Sequence, residues 1–204
     1  MKEIFKIILA SGSHPRKDLL NKFLGKYNMD YEIIVSTVDE DVIKKKEKVP
    51  SELVKKLSYA KAENVFSKIE NIYKNLIVIG ADTIVFFENK ILGKPSNEKV
   101  AQNMLKKLSG KSNKVYTGMT VFIKNDNKIE HLTTCSCSTA YMKDMTTKDI
   151  NDYIATKEPL DKAGAYTIQG IGKKYVKKYV GRHNTLVGLD TIELKNILKE
   201  YKII

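Results

Sequence analysis

The chain has 204 residues, of which 42% are hydrophobic, and this fits one large domain or two lobes that share a sheet. No apolar run approaches the length of a membrane span, and no clear cleavage site follows the start, so we expect neither a membrane span nor a signal peptide. The net charge of +12 favours a polyanionic ligand. The lysines are dispersed along the chain among many Asn and Ile residues, a pattern typical of an AT-rich genome, which makes a nucleic-acid partner a weaker interpretation.

The predicted elements of the first half alternate between strands and helices. In chain order they are a buried strand "FKIILAS", a helix "PRKDLLNKFLGKY" ending near Gly25, a strand "YEIIVSTV", a charged loop "DVIKKKEKVP", a helix "SELVKKLSYAKAENVFSKI" capped by Ser51, and a strand and hairpin over Asn75–Pro95 with a kink at Gly80.

The second half contains consecutive predicted strands. Its elements are a helix "NEKVAQNMLKKLSG" ending at Gly110, two strands "NKVYTGMTVFIK" and "IEHLTTCSCSTAYM" joined around "NDNK", a short helix "TTKDINDYIAT", strand-like "AYTIQG" and "YVKKYVGR", and a closing helix "NTLVGLDTIELKNILKEY". This order predicts an α/β fold with a mixed central β-sheet, and residues 1–204 are expected to form a single domain without a linker.

The two cysteines, Cys135 and Cys137, lie two residues apart on a predicted strand. Their side chains point to the same face but cannot easily bridge, and the sequence has no other cysteine. We therefore expect no disulfide framework and no zinc cluster, but two buried or half-buried thiols in a reducing compartment.

A turn of small residues joins the first strand to a helix that carries Arg16 and Lys17 in its first turn. Free N–H groups and partial positive charge lie at this end of a helix, so added cations suggest an anion such as phosphate. The spacing does not match a Walker A loop. An ordinary strand-to-helix turn with two solvated charges is the alternative.

Three charged residues stand out further along the chain. Asp82 interrupts an apolar run, where a carboxylate needs a compensating partner, and a buried ion pair is the alternative to a functional role. Lys61 falls on the apolar face of its predicted helix, where it either snorkels to solvent or points into a cleft. Lys94 follows a tight turn, so hairpin pairing could return it toward the level of Asp82.

Glu40 belongs to an acidic triplet, Asp39–Asp41, after a predicted strand, and such a triplet alone is more typical of a solvated loop. With Asp82 it supplies two carboxylates at sheet ends, which can hold Mg²⁺. Farther on, "EPLDKAGAYTIQGIG" combines Asp161 and Lys162 with glycines and Gln169. An amide that both donates and accepts suits the edge of a base, and a glycine-bearing structural loop is the alternative.

Taken together, these segments resemble the Maf family of nucleoside triphosphate pyrophosphatases. The matching stretches are "LASGSHPRKDLL", "VDE", "LSYAKA", "GADTIV", "ILGKP", "LSGKSNKVYTG", "EPLDKAGAYTIQGIG" and "NTLVGLD", from Leu9 to Asp190 and in the family's order. The resemblance implies a Maf- or inosine triphosphatase-like fold, with a mixed sheet in two lobes and a nucleotide-binding cleft.

The resemblance also implies roles for individual residues. Asp82 is the expected general base, Glu40 and Asp82 the ligands of Mg²⁺ or a similar ion such as Mn²⁺, and Lys61 and Lys94 further catalytic cations. The expected substrate-binding residues are Ser11, Ser13, Arg16, Lys17, Thr83, Asp161, Lys162 and Gln169, of which Arg16, Thr83 and Gln169 match positions associated with substrate choice.

Five residues depart from the family pattern. They are an extra His14, Lys17 for a frequent Arg, Asn113 for a common His, Thr167 for a usual Gly, and Asp190 for a usual Pro. Lysine lacks the two-pronged guanidinium, so we expect a weaker phosphate contact at position 17. The changes at 167 and 190 are interpreted as structural variation.

The resulting hypothesis is a cytoplasmic pyrophosphatase that acts on dTTP, UTP or modified pyrimidine triphosphates. The family implies a role in clearing non-standard nucleotides and in cell-division arrest, and it is compatible with a homodimer. The competing hypothesis is a non-enzymatic nucleic-acid-binding or regulatory protein that uses the basic surface. Dispersed lysines and the absence of Trp argue against it.

Overall fold

The computed structural model describes residues 4–204. Its strands are β1 (Lys6–Leu9), β2 (Glu32–Ile33), β3 (Asn75–Phe87), β4 (Lys90–Leu92), β5 (Ser112–Asn125), β6 (Lys128–Met142) and β7 (Val176–Val180). Its helices are α1 (His14–Leu24), α2 (Glu40–Lys46), α3 (Pro50–Ile69), α4 (Glu98–Leu108), α5 (Thr147–Ala155), α6 (His183–Val187) and α7 (Thr191–Glu200).

Within the described residues the strands form one mixed sheet of order β2-β1-β3-β5-β6-β7, with β4 paired to β3. β1 runs parallel to both β2 and β3, whereas β4 is antiparallel to β3 and β7 is antiparallel to β6. The predicted α/β fold with a mixed central sheet is confirmed. No helix of residues 4–204 is both long and apolar enough to cross a membrane.

The chain divides into two compact units, each assembled from separate segments. The first unit contains the described part of Met1–Asp82, Thr117–Ser136 and Gly188–Ile204, and the second contains Thr83–Tyr116 and Cys137–Val187. β3, β5 and β6 each contribute residues to both units.

The core of the first unit lies on both faces of the sheet. Successive residues of a strand point to opposite faces. Ile7 and Leu9 of β1 accordingly belong to a buried cluster with α1 and α7, whereas Ile8 belongs to a second cluster with α3. Because both faces are covered, β3 is apolar almost throughout its part of this unit, and a charged residue there is conspicuous.

Two glycines let α3 lie close against the sheet. A Cβ on Gly80 of β3 would lie 2.4 Å from the Ser58 carbonyl oxygen, and one on Gly118 of β5 would lie 2.2 Å from the Val54 carbonyl oxygen. β3 is continuous through Gly80, so the predicted kink is wrong. The glycine instead makes room for the helix.

The second unit has its own core, in which α4 and α5 pack on the strand segments of that unit. The β3–β4 hairpin turns at Glu88 and Asn89, whose φ angles of 46° and 60° are those of a turn that matches the twist of the strands. The structure confirms the predicted hairpin, the predicted α4 with its stop at Gly110, and the short α5.

Several boundaries differ from the sequence prediction. α3 begins at Pro50 with Val49 as its cap, so Ser51 lies inside the helix and does not cap it. The segment "AYTIQG" is irregular rather than a strand, because Ala165 and Gly170 at its two ends adopt left-handed φ angles of 60° and 56°. The second predicted strand shortens to the two residues of β2.

The charged segment after β2 forms a helix that the sequence prediction missed. The Asp39 side chain caps α2 by accepting from the Asp41 N–H at 3.0 Å. Acidic residues occupy its first turn and lysines its last, as the helix dipole favours. α2 buries no residue, so hydrophobic periodicity gave no signal for it.

The closing helix is divided in two, and the cysteines also depart in part from expectation. Gly188, with a φ of 115°, ends α6, and Asp190 caps α7 by accepting from two main-chain N–H groups at 3.2 Å. Asp190 is therefore a structural residue, as interpreted from the sequence. Cys135 and Cys137 form no disulfide within residues 4–204; Cys135 is half-buried as expected, whereas Cys137 is exposed, so the expectation is wrong for Cys137.

Candidate functional site

Lys61 of α3 joins the two carboxylates singled out from the sequence. Its Nζ lies 2.5 Å from Asp82 Oδ1 and 2.8 Å from Glu40 Oε1. Only 13% of the Lys61 side chain and 10% of the Asp82 side chain are exposed. Lys61 therefore does not snorkel to solvent, and the buried carboxylate of Asp82 has its compensating partner.

Glu40 is held by two lysines. Besides Lys61, Lys44 one turn along α2 lies 2.6 Å from Glu40 Oε2. Burial raises the pKa of Glu40, but the hydrogen bonds and charges of Lys44 and Lys61 outweigh it and lower the pKa to about 2. Glu40 is therefore an anion across the physiological pH range. Lys44 was missed in the sequence because its segment was interpreted as a loop, and its i,i+4 spacing from Glu40 was the available signal.

Arg16 in the first turn of α1 is anchored by neighbouring polar atoms. Its Nε donates to the Gly188 carbonyl at 2.8 Å and its Nη1 to Ser11 Oγ at 3.2 Å. Burial lowers the pKa of Arg16, and the negative charges of Asp82 and Glu40 offset part of that effect. The guanidinium is thus within electrostatic reach of both carboxylates.

The turn after β1 places small residues beside β3. β1 and β3 pair in parallel register with Leu9 opposite Ile79, and the Ala10 N–H donates to the Ile79 carbonyl at 2.8 Å. The end of β1 therefore lies next to the part of β3 that leads to Asp82. Ser11 Oγ also accepts from the Ser13 N–H at 3.3 Å, which shapes the turn into α1.

The other residues predicted in this turn have less defined contacts. Ser13 is the cap residue of α1 but its side chain makes no capping hydrogen bond. Lys17 is half-buried, and its main-chain N–H donates to the Ser13 carbonyl at 3.1 Å. His14 is exposed at the start of α1, where its Nε2 lies 3.5 Å from Asp18. The first unit thus brings together Ser11, Arg16, Glu40, Lys61 and Asp82.

The second unit holds the remaining predicted residues. Lys94 is exposed just beyond the end of β4, and Thr83 is half-buried on β3. The carbonyl of Gly93, next to Lys94, accepts from the Gly164 N–H at 3.0 Å. The Lys94 segment is therefore tied to the turns that follow Lys162.

Asp161 and Lys162 form an ion pair with each other at 2.6 Å, in which the Asp161 side chain is largely exposed. Gln169 follows in the same segment and is half-buried. Its main-chain N–H donates to Thr167 Oγ1 at 3.2 Å, a contact that the family's usual glycine lacks. Its side-chain amide bonds to no residue in the range 4–204, so it remains available to a ligand.

The carboxylates of the first unit fit a hard divalent cation. Within residues 4–204 no group of three or more His, Cys, Asp or Glu side chains could enclose a metal ion. Mg²⁺ commonly binds through one or two carboxylates and completes its shell with water and substrate phosphates. Glu40 and Asp82, which both contact one ammonium group, are a donor pair of that kind.

The chain is similar over nearly its whole length to proteins of one family. The family model described as Maf-like protein matches residues 6–201. A protein from Lachnoclostridium phytofermentans named dTTP/UTP pyrophosphatase is 40% identical over 98% of this chain and 97% of its own length. One of the same name from Clostridium novyi is 43% identical over 94% and 95% of the two chains.

Among solved structures, a HAM1 protein from Coxiella burnetii aligns with 97% of this chain and 100% of its own, at 13% sequence identity and a TM-score of 0.47. The family model spans nearly the whole chain, and the relatives named above share about two residues in five with it along nearly their full length. The chain therefore belongs to the family of Maf-like proteins.

Proposed function

We propose that the chain is a nucleoside triphosphate pyrophosphatase that hydrolyses dTTP, UTP or a modified pyrimidine triphosphate to the monophosphate and pyrophosphate. Relatives about 40% identical over nearly the full length carry the name dTTP/UTP pyrophosphatase. The observation that carries the proposal is the convergence of Glu40 and Asp82 on the Lys61 ammonium, because it assembles two carboxylates and a cation in one place.

Asp82 acts as the general base in this proposal. A water oxygen attacks the α-phosphorus, Asp82 accepts the proton, and the bond from the α-phosphorus to the bridging oxygen breaks, so that pyrophosphate leaves. The support is that the Asp82 carboxylate is mostly buried and is held in place by the hydrogen bond that it accepts from Lys61 Nζ. A base in such a position contributes about 10²–10⁴-fold to a rate.

Four cations are assigned to the phosphates. We propose that Arg16, Lys17, Lys61 and Lys94 bind the triphosphate and stabilise the charge that develops on the leaving pyrophosphate, together with the Ser11 and Ser13 turn. The fixed position of Arg16, which donates to Gly188 and Ser11, supports this because an anchored guanidinium needs little reorganisation to meet an anion.

Glu40 and Asp82 are the residues that would hold a divalent ion, either Mg²⁺ or Mn²⁺. When bound, such an ion neutralises phosphate charge and lowers the pKa of a coordinated water. The low pKa of Glu40 keeps this carboxylate ionised for that purpose.

Base selection is assigned to the second unit. We propose that Gln169 hydrogen-bonds the imide edge of uracil or thymine, and that Thr83, Asp161 and Lys162 line the same substrate. The Gln169 side-chain amide makes no hydrogen bond within residues 4–204, which supports this role, since it offers both a donor and an acceptor. We further propose that this activity clears non-standard nucleotides and is linked to the arrest of cell division. The proposed compartment is the cytoplasm.

The test is the release of pyrophosphate from a panel of nucleoside triphosphates in the presence of Mg²⁺. The wild-type chain should favour dTTP and UTP, and Asp82→Asn should lower kcat/KM by roughly 10²–10⁴-fold. The matched control is Asp41→Asn, an exposed carboxylate next to Glu40, which should retain most of the activity. Undiminished turnover by the Asp82 variant would remove Asp82 from the mechanism.

A further inference from the structure

The carboxylate of Glu158 accepts hydrogen bonds from the main chain of the segment that carries Gln169. Glu158 Oε1 accepts from the Ile171 N–H at 3.1 Å, and Glu158 Oε2 accepts from the Gly172 N–H at 2.8 Å. Both donors are main-chain groups of consecutive residues, so each carboxylate oxygen has its own partner. We name this arrangement, Glu158 with the two N–H groups of Ile171 and Gly172, the Glu158 clasp.

The glycines around the clasp are required by its geometry. Gly170 has a φ of 56°, and a Cβ there would lie 2.1 Å from Glu158 Oε1. A Cβ on Gly172 would lie 2.3 Å from the Tyr153 hydroxyl and 2.5 Å from the Thr167 carbonyl oxygen. The main chain therefore approaches Glu158 closely because Gly170 lacks a side chain, and it passes Tyr153 and Thr167 because Gly172 lacks one.

Two further hydrogen bonds fix the segment on the other side of Gln169. Thr167 Oγ1 accepts from the Gln169 N–H at 3.2 Å. Tyr166, which is buried, donates its hydroxyl hydrogen to Asn113 Oδ1 of β5 at 2.7 Å. Gln169 thus lies between an anchor at Tyr166 and the clasp two and three residues later, while its own side-chain amide makes no bond to residues 4–204.

We propose that Glu158 is a positioning residue for base selection, because the Glu158 clasp sets the main chain on which Gln169 is presented. The inference rests on the proposed function, since it needs Gln169 to contact the base. A carboxylate suits this task because its two oxygens accept two charge-assisted hydrogen bonds. A glutamine has only one accepting oxygen, so Glu158→Gln keeps the size of the side chain but opens half of the clasp.

The experiment measures kcat and KM for UTP and CTP, which differ at the base edge assigned to Gln169. Glu158→Gln should lower the ratio of kcat/KM for UTP over CTP on the order of tenfold, as expected for one misplaced hydrogen bond. The change should appear mainly as a higher KM for UTP with kcat little changed. Asp152→Asn, an exposed carboxylate of α5 paired with Lys148, is the matched control and should leave the ratio unchanged.

A double-mutant cycle separates positioning from a general loss of structure. In a Gln169→Ala background, Glu158→Gln should have little further effect on the UTP to CTP ratio, since the group it positions is gone. Equal losses for both nucleotides in both backgrounds would overturn the proposal. If Glu158→Gln does not fold, Glu158→Asp, which keeps the charge on a shorter side chain, is carried through the same cycle.

Calorimetry with non-hydrolysable α,β-imido UTP and α,β-imido CTP makes the test independent of turnover. If the wild-type chain hydrolyses neither nucleotide, the proposed function fails, and the binding ratio of the analogues still decides the role of Glu158. A preference for the uracil analogue that falls in Glu158→Gln supports the inference. An unchanged preference, or equal binding of both analogues by the wild-type chain, overturns it.

Discussion

Lys61 on α3 and Asp82 on β3 form an ion pair with 2.5 Å between Nζ and Oδ1, although 21 residues separate them in the chain. The same ammonium group also contacts Glu40, so one lysine compensates two carboxylates. Without it, both carboxylates would lose the cation that they share. The ion pair therefore links the stability of the first unit to the chemistry proposed for it.

Replacing Lys61 by Met should destabilise the chain and increase its response to a divalent ion. The loss should be about 1–3 kcal/mol in unfolding free energy, below the about 3–5 kcal/mol of a fully buried pair, because the site is partly solvated. Mg²⁺ should raise the Tm of the variant more than that of the wild type, since it no longer competes with an ammonium group for Glu40 and Asp82.

Thermal unfolding with and without Mg²⁺ measures the effect of Lys61→Met. Lys56→Met is the control, since Lys56 lies on the same helix but pairs with Glu47 instead. If Mg²⁺ shifts the Tm of the two variants and the wild type equally, Glu40 and Asp82 are not the metal ligands.

Gly80→Ala should disturb the contact that allows Lys61 to reach Asp82. The added methyl group would meet the main chain of α3, which cannot move aside as a flexible side chain can, so a loss of about 1–3 kcal/mol is expected, with reduced activity. Gly25→Ala is the control, because nothing lies within 4 Å of its Cβ position and its φ is −57°. It should stabilise the chain by about 0.4–1 kcal/mol. Urea unfolding measures both variants. An unchanged unfolding free energy in Gly80→Ala would contradict the role given to Gly80.

Glu40 should make the chain sensitive to acid. Its pKa in the folded state is lowered from 4.5 to about 2, so its contribution to stability is present above about pH 4.5 and is lost as the pH falls toward 2. The stability of Glu40→Gln should therefore fall less between these pH values than that of the wild type. Urea unfolding at several pH values compares them. Lys44→Met should reduce the pH dependence of the unfolding free energy only in part, because Lys61 still contacts Glu40. Parallel curves of unfolding free energy against pH for all three proteins would refute the assignment of this dependence to Glu40.

Asn113→Leu should destabilise the second unit by leaving the buried Tyr166 hydroxyl without an acceptor. The expected loss is about 1–3 kcal/mol. Tyr166→Phe combined with Asn113→Leu should recover part of it, since both polar partners are then removed. Asn113→His, the residue common in the family, restores an acceptor and should be milder than Leu. Additive losses in the double variant, measured by urea unfolding, would show that the hydrogen bond does not couple the two residues.

Much of the fold followed from local patterns. Alternating apolar segments predicted the strands and most helices, and the turn residues predicted the hairpins, because these signals depend on neighbours only a few residues away. α2 was not predicted because it is stabilised by its cap and its charges and has no buried face that would give an apolar periodicity. The strand expected at "AYTIQG" was wrong because the left-handed conformations of Ala165 and Gly170 and the Glu158 clasp override the local preference.

The sequence by itself determined that an acid interrupts an apolar strand, that cations follow a small-residue turn, and that the chain resembles the Maf family. Only the tertiary structure decided that Lys61 meets both Asp82 and Glu40, and that Glu158 accepts hydrogen bonds from the segment that follows Gln169. The reason is physical. Such contacts depend on how closely a helix approaches a sheet and on where loops return, and neither is encoded in the spacing of neighbouring residues.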